Sequence, residues 1–171
     1  LDKKKYDLNK DFNKFRYRII HPLIDKDGGM IFNSIYSPLV KVDICSNLEW
    51  FNTEISHHSN EFDSDGNIWT PATLSNSKFK NTNKKFFDDS INKISKDGKT
   101  LFSKSVIEIL IENNLGNIIG RQQDPIHLND IQPVLYDTKF WKKNDLFLSA
   151  RELSLVLLYR PSTNQIVWYQ Q

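Results

Sequence analysis

The sequence predicts an all-β fold, a β-propeller of about three blades with one short inserted helix. A pattern of strand, polar turn and strand recurs three times along the chain. Its apolar or alternating runs are bounded by Asp-Gly, Asn-Asp or Pro-Ser-Thr-Asn, which are hairpin signals. Gly28 and Gly66, in the turns of the first two copies, stand 38 residues apart, close to the ~40 residues of a four-stranded blade. A hydrophobic content of 39% with 12% aromatics is enough to bury a core. A β-sandwich is the competing architecture.

Residues 1–18 mix Lys, Asn and aromatics without periodicity, and read as a linker or the end of an upstream blade. Residues 19–171 read as a partial propeller domain. The first copy runs through Ile19-Ile20-His21-Pro22, Asp27-Gly28-Gly29 and Met30-Ile31-Phe32, with further strands at 39–44 and 48–51. The second begins at His57-His58, turns at Asp65-Gly66-Asn67 and continues through Ile68-Trp69. After an Asn/Lys/Ser-rich insertion near 75–85, read as a surface loop, it resumes over 90–94 and 101–102 about Asp97-Gly98-Lys99. The third runs over 126–131, turns at Lys143-Asn144-Asp145, and continues over 146–149, 153–159 and 165–169.

The inserted helix is signed by Ser105-Val106-Ile107-Glu108, a capping box that satisfies free N–H groups of the first turn. Val106, Ile107, Leu110 and Ile111 make its apolar face. Asn113-Asn114-Leu115-Gly116 ends it, with Gly116 expected in the left-handed conformation. The helix is expected to pack across blade edges. Trp50, Trp69, Trp141 and Trp168 read as blade-to-blade packing.

Composition excludes several functions. The balance of 23 Lys+Arg against 21 Asp+Glu removes the electrostatic case for nucleic acid. No apolar run approaches the roughly 20 residues of a membrane helix. A single cysteine, Cys45, excludes an internal disulfide framework and a multi-cysteine zinc site. The chain starts at Leu1 with Lys3-Lys4-Lys5 and no apolar signal core, and it stops directly after a strand-like run. Both ends read as cut from something longer, and exposed blade edges suggest self-association into a homo-oligomer.

The four histidines, His21, His57, His58 and His127, are all expected in the first strand of a copy, just before its polar turn. In a propeller the first strand of each blade lines the central channel, so ring closure brings distant imidazoles to one axial pocket. His21, next to Pro22, reads as structural. Adjacent strand residues face opposite sides, so only one of His57 and His58 is expected to face the channel. Asn129, two residues after His127, is expected on the same face as it. Arg151 follows the apolar run 146–150, where burying a guanidinium without an anionic partner is costly. Glu152 is one available partner; the functional reading is a fork for sulfate, phosphate or carboxylate.

Asp124-Pro125-Ile126-His127-Leu128-Asn129-Asp130-Ile131-Gln132-Pro133, then Asp145 to Arg151 and Ile166-Val167-Trp168-Tyr169, resembles the arylsulfotransferase family of bacterial β-propeller proteins. His57-His58 with Asp65-Gly66-Asn67-Ile68 is similar to the family's earlier histidine strand. The likeness spans residues 20–171. It implies a six-bladed propeller exported to the periplasm or secreted. It implies sulfuryl transfer from a phenolic sulfate ester to a phenolic acceptor, by ping-pong kinetics and with no metal or other cofactor. His127 and Arg151, with His58 less securely, match its catalytic positions; Asn129 matches a substrate-binding position, and His57, the other member of the histidine pair, is read with it as substrate-binding. The family's transiently sulfated histidine lies on a later blade, past the Trp168 strand, so no residue here is assigned as the nucleophile.

Residue types explain the expected chemistry. Attack at sulfur builds charge on the sulfate oxygens and the leaving phenolate, which a guanidinium and an amide stabilise. Imidazole titrates near neutrality and serves as base, acid or nucleophile. The competing readings are a non-catalytic propeller module that binds an anionic or aromatic ligand, and a metal site made of His58, His127 and Glu61.

Overall fold

The computed structural model describes residues 18–79 and 86–171. The linker expected over 1–18 lies, apart from Arg18, outside them, as does the end of the 75–85 insertion. The described chain is all-β with one α-helix. Strands β1 (Ile20–Ile24), β2 (Met30–Asn33), β3 (Ser37–Val42) and β4 (Leu48–Ser56) pair in sequence as an antiparallel meander. A second meander follows in β5 (Glu61–Phe62), β6 (Ile68–Thr73), β7 (Asp89–Ile94) and β8 (Thr100–Ser105). The end of β4 pairs with β6 through Ile55–Thr73 and Ser56–Ala72, which joins the two units into one eight-stranded sheet. After helix α1 (Val106–Glu112), β9 (Leu128–Pro133), β10 (Leu146–Ala150), β11 (Leu155–Arg160) and β12 (Gln165–Gln170) form a separate four-stranded sheet. Neither sheet closes on itself among the described residues.

Short turns fix the registers. Asp63 Oδ1 accepts from the N–H groups of Asp65 and Asn67, and Gly66, at φ +78°, lets the loop close. Asp25 and Asp43 build the same turn ahead of β2 and β4. Side-chain oxygens of this kind replace backbone partners in tight loops, so Asp and Gly recur at these positions. In all three units the aspartate at the first turn also pairs with a cation on the third strand. The pairs are Asp25–Lys41, Asp63–Lys93 and Asp145–Arg160, each at 2.7 Å. Gly98, at φ +78°, admits no side chain: a Cβ there would sit 2.7 Å from the Trp50 ring.

The core sits in the seams between units. Ile31, Leu39, Ile68 and Ile94 fill the first seam, with Leu23, Trp50 and Phe62 against them. The larger cluster joins Trp69 and Ile91 of the second unit to Leu128, Ile131, Leu146 and Leu148 of the third. Burying an Ile or Leu side chain contributes about 1.5–3 kcal/mol, so each unit is stabilised by its neighbour as well as by its own ladders.

Helix α1 packs Val106, Ile107, Ile109 and Leu110 into the larger cluster, while Ile111 stays 48% exposed. Its apolar face is thus turned by one position from the expected one. Ser105 caps it by accepting from Glu108 N, but the Glu108 carboxylate pairs with Lys78 instead of closing a capping box. Asn114, at φ +63°, takes the left-handed position expected of Gly116, and Leu115 N then donates to Leu110 O. Asn tolerates that conformation through its short polar side chain. Among the tryptophans, Trp69 is buried in the seam, and the Trp50 Nε1–H donates to Lys96 O. Trp168 departs from the packing expectation at 48% exposed.

Candidate active site at one end of the strands

An antiparallel meander sends alternate connections to opposite ends of its strands. The β2–β3 turn, the β4–β5, β6–β7 and β8–β9 connections and the β10–β11 turn therefore share one end. That end carries Tyr36, His57, His58, Phe87, Asp89, Asp124, His127 and Arg151. The Asp-rich turns lie at the other end, where a cavity of about 890 Å³ is lined by Asp25, Trp50, Asp65 and Lys96 and touches none of the histidines.

Three of the four histidines come together. The Nδ1 atoms of His57 and His58 are 2.8 Å apart, and the rings meet edge to face at 5.0 Å between centroids. The His58 ring meets that of His127 at the same separation, also edge to face. His58 and His127 belong to different units. They converge because the second and third units pack side by side. Asp89 Oδ2 accepts from Leu128 N at 2.7 Å, and Ser59 Oγ accepts from Ile131 N at 3.2 Å, so both bonds tie the start of β9 to the second unit. Closure of a ring is not needed for this encounter.

The expectation that only one of His57 and His58 can face the site fails. His58 lies between strands at φ +57°, so the alternation of a strand does not reach it. His21 and His127, at φ +43° and +50°, take the same left-handed bend ahead of the first turns of their units. Such a conformation is uncommon for a residue with a Cβ. Here it swings each imidazole out of the period-two pattern. His21 is not drawn into the cluster; its Nε2 pairs with Glu61 Oε1 at 3.1 Å, and its ring is 46% exposed. That pairing also commits the carboxylate of the metal-site alternative. No group of three or more His, Cys, Asp or Glu side chains among the described residues is arranged to hold a metal ion.

Carboxylates flank the imidazoles at both ends. Asp124 Oδ2 sits 2.5 Å from His127 Nδ1, and its Oδ1 accepts from His127 N at 3.0 Å. One side chain thus holds both the ring and the left-handed backbone. Asp89 Oδ1 stands 3.3 Å from His57 Nε2, both groups being almost fully buried. His58, in the middle, is depressed to about 4. Burial is the main cause, and the neighbouring His57 and His127 and the charge of Arg151 add to it against the opposing pull of Asp89.

Tyr36, at φ +54°, lays its ring 5.2 Å from both His57 and Phe87. Burial, with Asp124 and Asp89 nearby, pushes its hydroxyl up to about 12, so it is a neutral donor at physiological pH.

Arg151 differs from expectation in its setting. It opens a 3-10 turn after β10, is 58% exposed, and donates Nε and Nη2 to Glu152 Oε1. The cost of burying a guanidinium therefore does not arise. Its backbone N donates to His127 O at 3.0 Å, which fixes the turn beside the cluster. Asn129 sits where the β9–β10 register slips between Asp130 and Leu128, so sharing a face with His127 does not follow from spacing. Its Oδ1 is buried without a hydrogen-bond partner.

Sequence reasoning missed Tyr36, Phe87, Asp89 and Asp124. Asp124 alone left a local signal, because an Asp three residues ahead of a histidine can cap that histidine's N–H. The others arrive from turns and strands whose partners are distant in sequence.

A β-rich chain that gathers three imidazoles, two carboxylates and an arginine at one end of its strands has the makings of a proton- and anion-handling site. The chain belongs to the arylsulfotransferase (ASST) family, whose model matches residues 27–171. A search of curated proteins gives no match. Membership makes its function arylsulfotransferase-like in general, with aryl substrates.

Proposed function

We propose that the protein moves a sulfuryl group from a phenolic sulfate ester to a phenolic acceptor at the imidazole cluster, and that its three four-stranded units are blades of a larger propeller. The observation that carries this is the meeting of His58 and His127, from separate units, at 5.0 Å between ring centroids, with the Arg151 backbone N donating to His127 O at 3.0 Å.

In this reading Arg151 and Asn129 hold the sulfate oxygens, where negative charge gathers as sulfur is attacked. The incoming anion shares the guanidinium with Glu152. His127 exchanges the proton through Nε2, since its Nδ1 is engaged by Asp124. The acceptor's oxygen bonds to sulfur as its proton passes to the free Nε2 of His127. The bond between sulfur and the donor's phenolic oxygen breaks in the same displacement, and that oxygen then takes the proton from the same nitrogen. No described residue is assigned as a covalent sulfuryl carrier.

The test is an assay with a chromogenic phenyl sulfate, with and without a phenol acceptor. Phenol-dependent release of the chromophore is expected, falling ~10²-fold in Arg151→Ala, as for removal of one group that stabilises a developing oxyanion. Absence of phenol-dependent release, or release indifferent to Arg151→Ala, overturns the proposal.

A further inference from the structure

Asp89, His57, His58, His127 and Asp124 form a row of three imidazoles closed at each end by a carboxylate. The separations along it are 3.3 Å from Asp89 Oδ1 to His57 Nε2, 2.8 Å from His57 Nδ1 to His58 Nδ1, and 2.5 Å from His127 Nδ1 to Asp124 Oδ2. Between His58 and His127 the rings meet edge to face. We infer that the two carboxylates fix the tautomers of this row, so that Asp89, acting through His57, leaves Nε2 of His58 without a proton. This makes His58 an acceptor for the hydroxyl of the incoming phenol, a specificity role that rests on the sulfotransferase reading.

The chemistry runs from the ends inward. His57 Nε2 is buried and has no hydrogen-bond partner of good geometry, and a carboxylate oxygen stands 3.3 Å from it. A lone pair facing that oxygen would be repelled, so the nitrogen carries the proton. A neutral imidazole has one N–H, and Nδ1 of His57 is therefore the acceptor. The 2.8 Å separation between the two Nδ1 atoms requires one proton between them, and His58 supplies it. The second nitrogen of His58, Nε2, is left as a lone pair. Burial above all, with the charge of Arg151, disfavours a second proton on His58, and Asp89 opposes them. At the other end, Asp124 accepts from Nδ1–H of His127, which leaves Nε2 as the nitrogen that exchanges a proton.

The two imidazoles nearest the proposed sulfuryl site thus differ in kind. His127 gives and takes a proton beside the sulfate. His58 only accepts, so it favours a ligand that brings an O–H, such as a phenol, over a second sulfate ester. Asp89 is a positioning residue in this scheme. It also accepts from Leu128 N, so it holds the two units in the register that brings the imidazoles together.

The test is long-range proton–nitrogen correlation NMR of the ¹⁵N-histidine-labelled protein at neutral pH, with each ring assigned by single His→Gln variants. The account expects His57 with its proton on Nε2, His58 on Nδ1 and His127 on Nδ1. A proton on Nδ1 of His57, or on Nε2 of His58, overturns it. Because Asp89→Asn could unfold the chain, the unsubstituted protein decides the matter; where Asp89→Asn folds, mixed His58 tautomers support the inference and an unchanged His58 contradicts it. No substrate enters the measurement. The expected tautomers in a protein that transfers no sulfate would uphold the tautomer row and sink the proposed reaction with the phenol role that rests on it; sulfate transfer with other tautomers would uphold the reaction and sink the row.

Discussion

Asp63→Ala is expected to lower the stability of the fold by about 3 kcal/mol, the range for breaking a buried ion pair by removing one partner. The carboxylate is 1% exposed, pairs with Lys93 at 2.7 Å, and caps the N–H groups of Asp65 and Asn67. Its loss strands an ammonium that is only 20% exposed and opens two turn donors at once. For a chain of this length the thermal midpoint should fall by about 10 °C. Asp43→Ala is the internal control: Asp43 builds the same turn at the surface, and its loss should cost visibly less. Burial pushes Asp63 upward, but the Lys93 ammonium and the Asn67 bonds outweigh it and hold the carboxyl below its ordinary 3.8. A folded value below the unfolded one means that the stabilisation is complete above 3.8 and is lost as pH falls through the folded value. The difference between the parent protein and Asp63→Ala should therefore be full at neutral pH and shrink in acid, as read by chemical denaturation at both. A variant as stable as the parent at neutral pH would show that the pair does not hold the first turn to the third strand.

The second large effect is on activity. His127→Asn should cut turnover by ~10²–10⁴-fold, the usual contribution of a positioned acid–base group. Asparagine is chosen because His127 stands at φ +50°, where Asn is tolerated and Ala is strained. The thermal midpoint should stay close to the parent's, since the side chain removed binds Asp124 near the surface rather than filling a core seam. Full activity in His127→Asn would remove this imidazole from the proton path.

Much of the fold was legible because turn chemistry is local. Asp27-Gly28-Gly29, Asp65-Gly66-Asn67 and Pro161 to Asn164 fall where hairpins form, and the strands follow from the runs between them. His58 and His127 were expected within first strands; each instead stands just ahead of one, because a left-handed residue there delays the start of the ladder. What was lost is what local spacing cannot encode. The alternation rule failed at His58 because one left-handed residue resets the direction of the side chain. It failed at Asn129 because the register slips there. Asp89 reads as a strand residue with no role until β9 docks against it and the His57 ring arrives from another connection. The ion pairs at the first turns also escaped notice, since Lys41, Lys93 and Arg160 lie one or two strands away from the aspartates they neutralise.

The most direct measurement of the shared site is a crystal structure of the protein with inorganic sulfate at submillimolar concentration. The account predicts one ordered anion on the Arg151 guanidinium, beside the His127 and His58 rings. Sulfate bound only at the Asp-rich turn end, or an arrangement in which His127 and Arg151 face separate environments, would contradict it.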